Sequence, residues 1–124
     1  MILIIGGAYQ GKRDYAKNKF GLTDAQIFDC AEGDIAFGAR CLYGLQNYTR
    51  WCVQNGVDAV EVFRASKETW QESILICEDI FCGVVPMGAR ERAWREMTAK
   101  LCGYLSAEAA GVVRVFCGLE QVLK

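Results

Sequence analysis

The chain opens with an unbroken apolar run, Met1-Ile2-Leu3-Ile4-Ile5, that passes directly into GGAYQGK, residues 6–12. Branched apolar residues without polar alternation describe a strand covered on both faces, and such strands belong to parallel sheets flanked by helices. Gly6, Gly7 and Gly11 permit a tight turn out of the strand. A short helix over about Lys12–Phe20 is expected next, with Gly21 placed to stop it. Strand, glycine turn and helix in immediate succession commit the chain to an α/β architecture.

The rest of the chain continues the alternation. Ala25–Cys30 (AQIFDC) is predicted as a second strand that ends in Asp29, and AEGD after it is turn chemistry. From Cys41 the apolar residues Leu42, Leu45, Tyr48 and Cys52 recur at helical spacing, which predicts a helix up to Gly56. Asp58 followed by Glu61 resembles a capping box for a helix over Ala59–Trp70, although Val57–Phe63 is rich in β-formers. Ser73–Asp79 (SILICED) predicts a buried strand finishing on two acids, and Gly83–Gly88 a loop around the single proline, Pro86. Trp94, Met97, Leu101 and Leu105 mark one face of a long helix, with Arg90, Arg92, Arg95 and Lys100 mostly off it. Val112–Cys117 is expected to pair across Gly118 with Leu119–Leu123 as a hairpin.

These elements predict one domain, residues 1–124, folded as a three-layer α/β sandwich whose sheet is mostly parallel and ends in a C-terminal antiparallel hairpin. Right-handed crossovers bring the C-terminal ends of parallel strands to one edge of the sheet. The glycine turn, Asp29 and Glu78-Asp79 are expected to meet there, at the usual place for a ligand.

The turn has its own chemistry. Gly6, Gly11 and Lys12 fall at the offsets of the phosphate-binding pattern G-x-x-x-x-G-K-[ST], with Arg13 where Ser or Thr is required. Backbone amides of Gly6, Gly7, Ala8, Tyr9, Gln10 and Gly11 can form a concave nest, the following helix adds the positive end of its dipole, and Lys12 supplies a full charge. A nucleoside triphosphate, ATP or GTP, or another phosphate anion is the expected ligand. The missing hydroxyl argues against Mg²⁺, because a guanidinium repels a cation, whereas Arg13 can itself hold a phosphate. Asp29 stands where a carboxylate would hold the metal shell, with turn or cap residue as the alternative. Glu78 and Asp79 are adjacent in a strand and point to opposite faces, so one of them at most faces the ligand.

Composition limits the remaining choices. Hydrophobic residues make up 52% of the chain and the net charge is −1, the balance of a folded protein without a nucleic-acid footprint. The seven cysteines include no C-x-x-C pair, and there is no histidine to complete a zinc site. Most lie in apolar runs, so they are expected to be buried and reduced, which implies a cytoplasmic setting. The first apolar run is five residues without a basic leader, which predicts neither a signal peptide nor a membrane span. A homo-oligomer is left open by an unpaired sheet edge on so apolar a domain.

Met1–Lys12, with its GGA-x-x-GK turn, resembles the start of the bifunctional adenosylcobinamide kinase / adenosylcobinamide-phosphate guanylyltransferase family of cobalamin biosynthesis. Ile27–Cys30 (IFDC) is similar to that family's second, acidic strand, and Ile76–Pro86 (ICEDIFCGVVP) to its strand-loop with an acid, a glycine and a V-P step. Arg95-Glu96 and the terminal VRVFCGLEQVLK resemble its last helix and hairpin. The resemblance implies a P-loop NTPase-like domain that phosphorylates the aminopropanol hydroxyl of a corrinoid and then transfers GMP through a guanylylated histidine. This chain is shorter, lacks histidine, has Arg13 for the hydroxyl and Cys102 for a polar asparagine, so the guanylyl-histidine route is closed to it.

Three readings follow. A reduced kinase would use Lys12 and the turn amides on the phosphates, Asp29 or Glu78 on Mg²⁺, and an acid to orient the acceptor hydroxyl. A binding module would hold nucleotide or anion without turnover, and a structural remnant would bind nothing. Loss of the hydroxyl and of the histidine with the nest retained favours the module.

Overall fold

A computed structural model describes residues 1–81 and 88–124. Its elements are β1 (Ile2–Gly6), α1 (Lys12–Phe20), β2 (Ile27–Asp29), β3 (Cys41–Tyr43), α2 (Leu45–Asn55), α3 (Ala59–Ala65), α4 (Lys67–Trp70), β4 (Ile74–Glu78), α5 (Ala89–Glu108), β5 (Gly111–Phe116) and β6 (Leu119–Val122). The strands form one sheet in the order β2-β3-β4-β1-β5-β6. Every neighbouring pair is parallel except β5–β6, which is antiparallel.

The apolar run of β1 lies at the middle of this sheet, between β4 and β5, with Ile4 beside Ile76 and Val113. Because side chains alternate along a strand, β1 feeds two cores. Leu3 belongs to one, with Leu75 and Val112, and Ile4 to the other, with Ile76 and Val113. Helix α1 covers the second face through Ala16. The first face carries the other helices, with Leu45, Phe63, Trp70, Leu101 and Leu105 fully or almost fully buried. Phe63 is the hub of that layer, its ring 5.1 Å from Phe37, 6.0 Å from Tyr48 and 5.7 Å from Trp70. Each such side chain adds about 1.5–3 kcal/mol on burial, which is what retains short helices such as α3 and α4.

Local sequence explains the boundaries. Gly21 ends α1 in a left-handed conformation, φ 63°, as expected of a glycine stop. Asp58 caps α3, accepting from the amides of Val60 and Glu61. Three expectations need correction. Cys41–Tyr43 is a strand and not the first turn of a helix; Gly44, at φ 82°, separates it from α2. The second strand is Ile27–Asp29, because Thr23 and Gln26 form a reciprocal capping box around a 3₁₀ turn over Asp24–Gln26. The helix expected over Ala59–Trp70 breaks at Ser66 into α3 and α4. The expected loop Gly83–Gly88 lies, apart from Gly88, outside the described residues. Among the described residues no helix is long and apolar enough to cross a membrane.

Candidate functional site

The turn Gly6–Lys12 connects the end of β1 to the start of α1, on the edge where the parallel strands finish. Its first glycine is a packing requirement, since a Cβ on Gly6 would lie 2.5 Å from the carbonyl oxygen of Val115 in β5. Gly11 has φ 88° and Tyr9 has φ 60°, so the turn takes two left-handed steps, one of them at a non-glycine residue. Gln10 holds that shape from outside. Its carbonyl accepts the amide of Gly118 at 2.8 Å, and its side-chain Oε1 accepts the amide of Cys117 at 2.7 Å.

Among the described residues, none of the backbone amides from Ala8 to Asp14 is donated to another group of the chain. The first amides of a helix lack partners by construction, and here no side chain caps them. They border a pocket of about 470 Å³ lined by Ala8–Asp14, Tyr43 and Glu78. Tyr9 stands fully exposed at its rim.

Lys12 is 6% exposed, and its Nζ donates to the carbonyl oxygen of Gly7 at 2.6 Å. Burial lowers its pKa below 10.5, an effect opposed by Glu78, Cys77 and Asp79. The ammonium is thus curled back into the turn, with acidic groups of the β4 end close enough to be felt. Arg13 leaves the turn in another direction, its guanidinium 5.4 Å from the centroid of the Tyr43 ring and 3.5 Å from Asp24. Asp24 is held below the usual carboxylate range by hydrogen bonds from Lys17 first and Arg13 second.

The residues expected to act together are partly assembled. Glu78 pairs in register with Gly6 and lines the pocket with Lys12. Asp79 donates its amide to the Gly6 carbonyl at 2.7 Å and accepts from the amide of Phe81 at 3.0 Å, so it begins the next turn. Asp29 ends β2, separated from β1 by β3 and β4. At a strand spacing of ~4.8 Å that is about 14 Å away. Its Oδ1 accepts from the amide of Ala31 at 3.0 Å, the geometry of a turn residue. Tyr43, at the end of β3, was not anticipated as a pocket residue. Burial raises its phenol pKa, with Asp29, Glu78 and Asp14 adding to the rise and Arg13 opposing it. Only its position at a strand end could have pointed to it.

No protein-family model matches the chain, and no curated protein matches it. The chemistry of the pocket therefore stands on its geometry.

Groups for a metal are sparse. Among the described residues no three carboxylates or thiols cluster closely enough to ligate an ion. Mg²⁺ on a nucleotide needs only one or two carboxylates besides phosphate and water, and Asp14 and Glu78 both line the pocket, Glu78 in register with Gly6. Among the described residues the cysteines divide by environment: Cys30, Cys41, Cys52 and Cys77 are buried, Cys102 is half-buried and Cys117 is exposed at the β5–β6 turn, and all six are free thiols. The expectation of burial thus fails for Cys117, where the hairpin turn carries the side chain into solvent.

Proposed function

We propose that this chain is a P-loop NTPase-like module that binds the phosphates of ATP or GTP, or a comparable polyphosphate anion, without a metal requirement and without turnover. The observation that carries the reading is the set of unpartnered amides from Ala8 to Asp14 around one pocket, with Lys12 buried against them. Such amides gain acceptors from an anion, and the dipole of α1 adds to the attraction. Lys12 would exchange the Gly7 carbonyl for a phosphate oxygen. That exchange relieves a buried charge whose one hydrogen-bond acceptor among the described residues is the Gly7 carbonyl. Arg13, stacked on Tyr43, leaves the position of the metal-ligating hydroxyl without a ligand for Mg²⁺. The family resemblance supports the same site and makes a corrinoid the candidate second ligand.

A second reading, an active small-molecule kinase, is favoured by one observation, the placement of Glu78 in the pocket with Lys12. Glu78 would then hold Mg²⁺ on the outer phosphates, with Asp29, beside the pocket residue Tyr43 in register, the alternative carboxylate. Calorimetric titration with ATP and GTP, each with and without Mg²⁺, separates the readings. The module binds equally in both conditions, and Lys12→Ala weakens it by about tenfold or more, a loss of ~1.4 kcal/mol. A kinase binds tightly only with the metal. Absence of heat with either nucleotide in either condition rejects both.

A further inference from the structure

We propose that β6 is the interface of a two-fold dimer of this chain, in which two copies of the strand pair antiparallel about Gln121 and join their sheets into one. All four residues of β6 are exposed, and among the described residues no strand pairs with its outer side. Protein sheets blunt an open edge with a short strand, charge, proline or a bulge. The opposite edge has such protection: β2 is three residues long, follows a 3₁₀ turn and ends on Asp29. The hairpin edge is also short, four residues, and carries Glu120, yet Phe116, Leu119, Val122 and Leu123 remain 57%, 72%, 67% and 52% exposed there.

The hydrogen-bond pattern of the hairpin selects the occupant. The amide of Leu123 donates to Val112 at 2.8 Å, so by antiparallel alternation Arg114–Gln121 and Phe116–Leu119 are also hydrogen-bonded pairs. The N–H and C=O groups of Glu120 and Val122 therefore point away from β5. Two copies can satisfy these groups in three registers. Pairing Glu120 with its own copy sets like charges directly opposite. Pairing Val122 with its own copy needs the outward amide of Lys124, which is already donated to Val112 at 3.2 Å. Pairing Glu120 with Val122 satisfies the outward groups of both strands, and only this register sets Leu119 opposite Leu123 twice. The sequence Leu119-Glu120-Gln121-Val122-Leu123 is self-complementary about its centre in that sense.

Each Glu120 is engaged within its own copy by the Tyr15 hydroxyl and by Lys19 at 3.9 Å, and facing Val122 of the other copy keeps the two carboxylates out of directly opposite positions. The two Gln121 side chains meet across the axis, where their amides can bond each other. Phe116, Leu119 and Leu123 share one face of this edge and form an apolar patch there, with Val122 on the other face. A four-residue strand pair with three apolar side chains from each copy on one face belongs at the small end of interfaces, below ~1,200 Å², which sets the expectation of a weak dimer with micromolar dissociation.

Sedimentation velocity across a concentration series tests the dimer. The unaltered chain is expected to pass from monomer to dimer near ~10 µM, and a monomer persisting to roughly 1 mM overturns the proposal. Gln121→Glu sets two like charges at the axis while facing Arg114 of β5 with the opposite charge, so it is expected to be monomeric, with a thermal midpoint no lower than that of the unaltered chain at concentrations below dimerisation. A dimer that survives this substitution places the interface elsewhere and also overturns the proposal. Register is tested by cross-linking in a Cys117→Ser background. Gln121→Cys is expected to form a disulfide between copies with mild oxidation by diamide, two thiols losing two protons and two electrons to the diazene, and Glu120→Cys is not. The reverse pattern rejects the register. None of these measurements depends on nucleotide binding, so their failure leaves the proposed function untouched.

Discussion

Gln10 and Cys117 lie 107 positions apart in the chain and are joined by a 2.7 Å hydrogen bond from the Cys117 amide to the Gln10 Oε1. With the Gly118 amide on the Gln10 carbonyl, the glycine turn is fastened to the β5–β6 hairpin at two points. The fastening counteracts the left-handed conformation of Tyr9, which costs a non-glycine residue roughly 1–2 kcal/mol. Gln10→Ala removes the side-chain point and keeps the backbone one. Because the Cys117 amide is at an exposed turn, water replaces the lost acceptor and the stability loss is expected at the low end, about 0.5–1 kcal/mol. The larger effect is on the pocket: triphosphate affinity is expected to fall severalfold as the turn loosens. Chemical denaturation and calorimetry on the same preparation check both, and an unchanged affinity would mean that Gly6 and Gly11 alone set the turn.

Gly6 makes a sharper demand. Its virtual Cβ sits 2.5 Å from the Val115 carbonyl oxygen, a backbone atom in the middle of the sheet that cannot swing aside. Gly6→Ala is expected to cost about 1–3 kcal/mol through the forced separation of β1 and β5. By contrast Gly103, on α5, has nothing within 4 Å of its added Cβ. Gly103→Ala should stabilise by ~0.5–1 kcal/mol through helix propensity. Urea midpoints that move in the same direction for both substitutions would contradict this account.

Much of the fold could be read because the signals were local. The run Ile2–Ile5, the strand within SILICED and the glycines at 21, 56 and 118 each mark an element without reference to the rest of the chain. Strand β3 could not, because Leu42 continues the helical spacing of Leu45, Tyr48 and Cys52, and three residues are too few to show alternation. Only Gly44 marks the break, and a glycine in a helical pattern has several readings. Position along a strand was legible and position across the sheet was not. Asp29 does end its strand on the expected edge, but nothing in its neighbours encodes that β3 and β4 intervene before β1. Glu78 was placed correctly with the turn, since β4 neighbours β1. Tyr43 and its contact with Arg13 arise from that same strand order and were invisible for the same reason.

The buried thiols give the fold a dependence on alkaline pH. Burial pushes Cys30 up to about 12 and Cys41 up to about 11 from the ordinary 9.0, and raises Cys52 as well. Cys77 is raised by its hydrogen bond to Cys102, then by burial. Between pH 9 and 11 the unfolded chain loses thiol protons that the folded chain keeps. Folding stability is therefore fully present below about pH 9 and falls as pH rises. Lys12 works in the opposite sense, because its lowered pKa makes the folded chain bind fewer protons than the unfolded one just below 10.5. The same hydrogen bond lowers Cys102, so that pair largely offsets itself, and Lys12 is outweighed by the three thiols that burial raises, Cys30, Cys41 and Cys52. The urea midpoint is expected to drop measurably from pH 8.5 to 10, and a rise would show that the thiols are not shielded. Mass-spectrometric mapping after brief iodoacetamide treatment at pH 8 should find Cys117 alkylated first among the described cysteines, with Cys30, Cys41, Cys52 and Cys77 modified only after unfolding.

Arg13 decides whether the pocket can use a metal. Its guanidinium rests against Tyr43 and Asp24, so it does not fill the hollow of the turn, yet it occupies the position from which a hydroxyl would ligate Mg²⁺. Arg13→Ser restores that hydroxyl and removes a positive charge. The surface ion pair with Asp24 contributes little, and Asp24 retains its 2.9 Å contact with Lys17, so stability should change by less than ~0.5 kcal/mol. Without metal, the variant should bind ATP more weakly than the unaltered chain, because a phosphate partner is gone. With Mg²⁺ it should bind more tightly, by roughly tenfold relative to its own metal-free state. If Glu78 supplies the accompanying carboxylate, adding Glu78→Gln removes the gain, and Asp29→Asn does not. A gain that Asp29→Asn abolishes and Glu78→Gln spares would instead assign the metal to the end of β2, beside Tyr43.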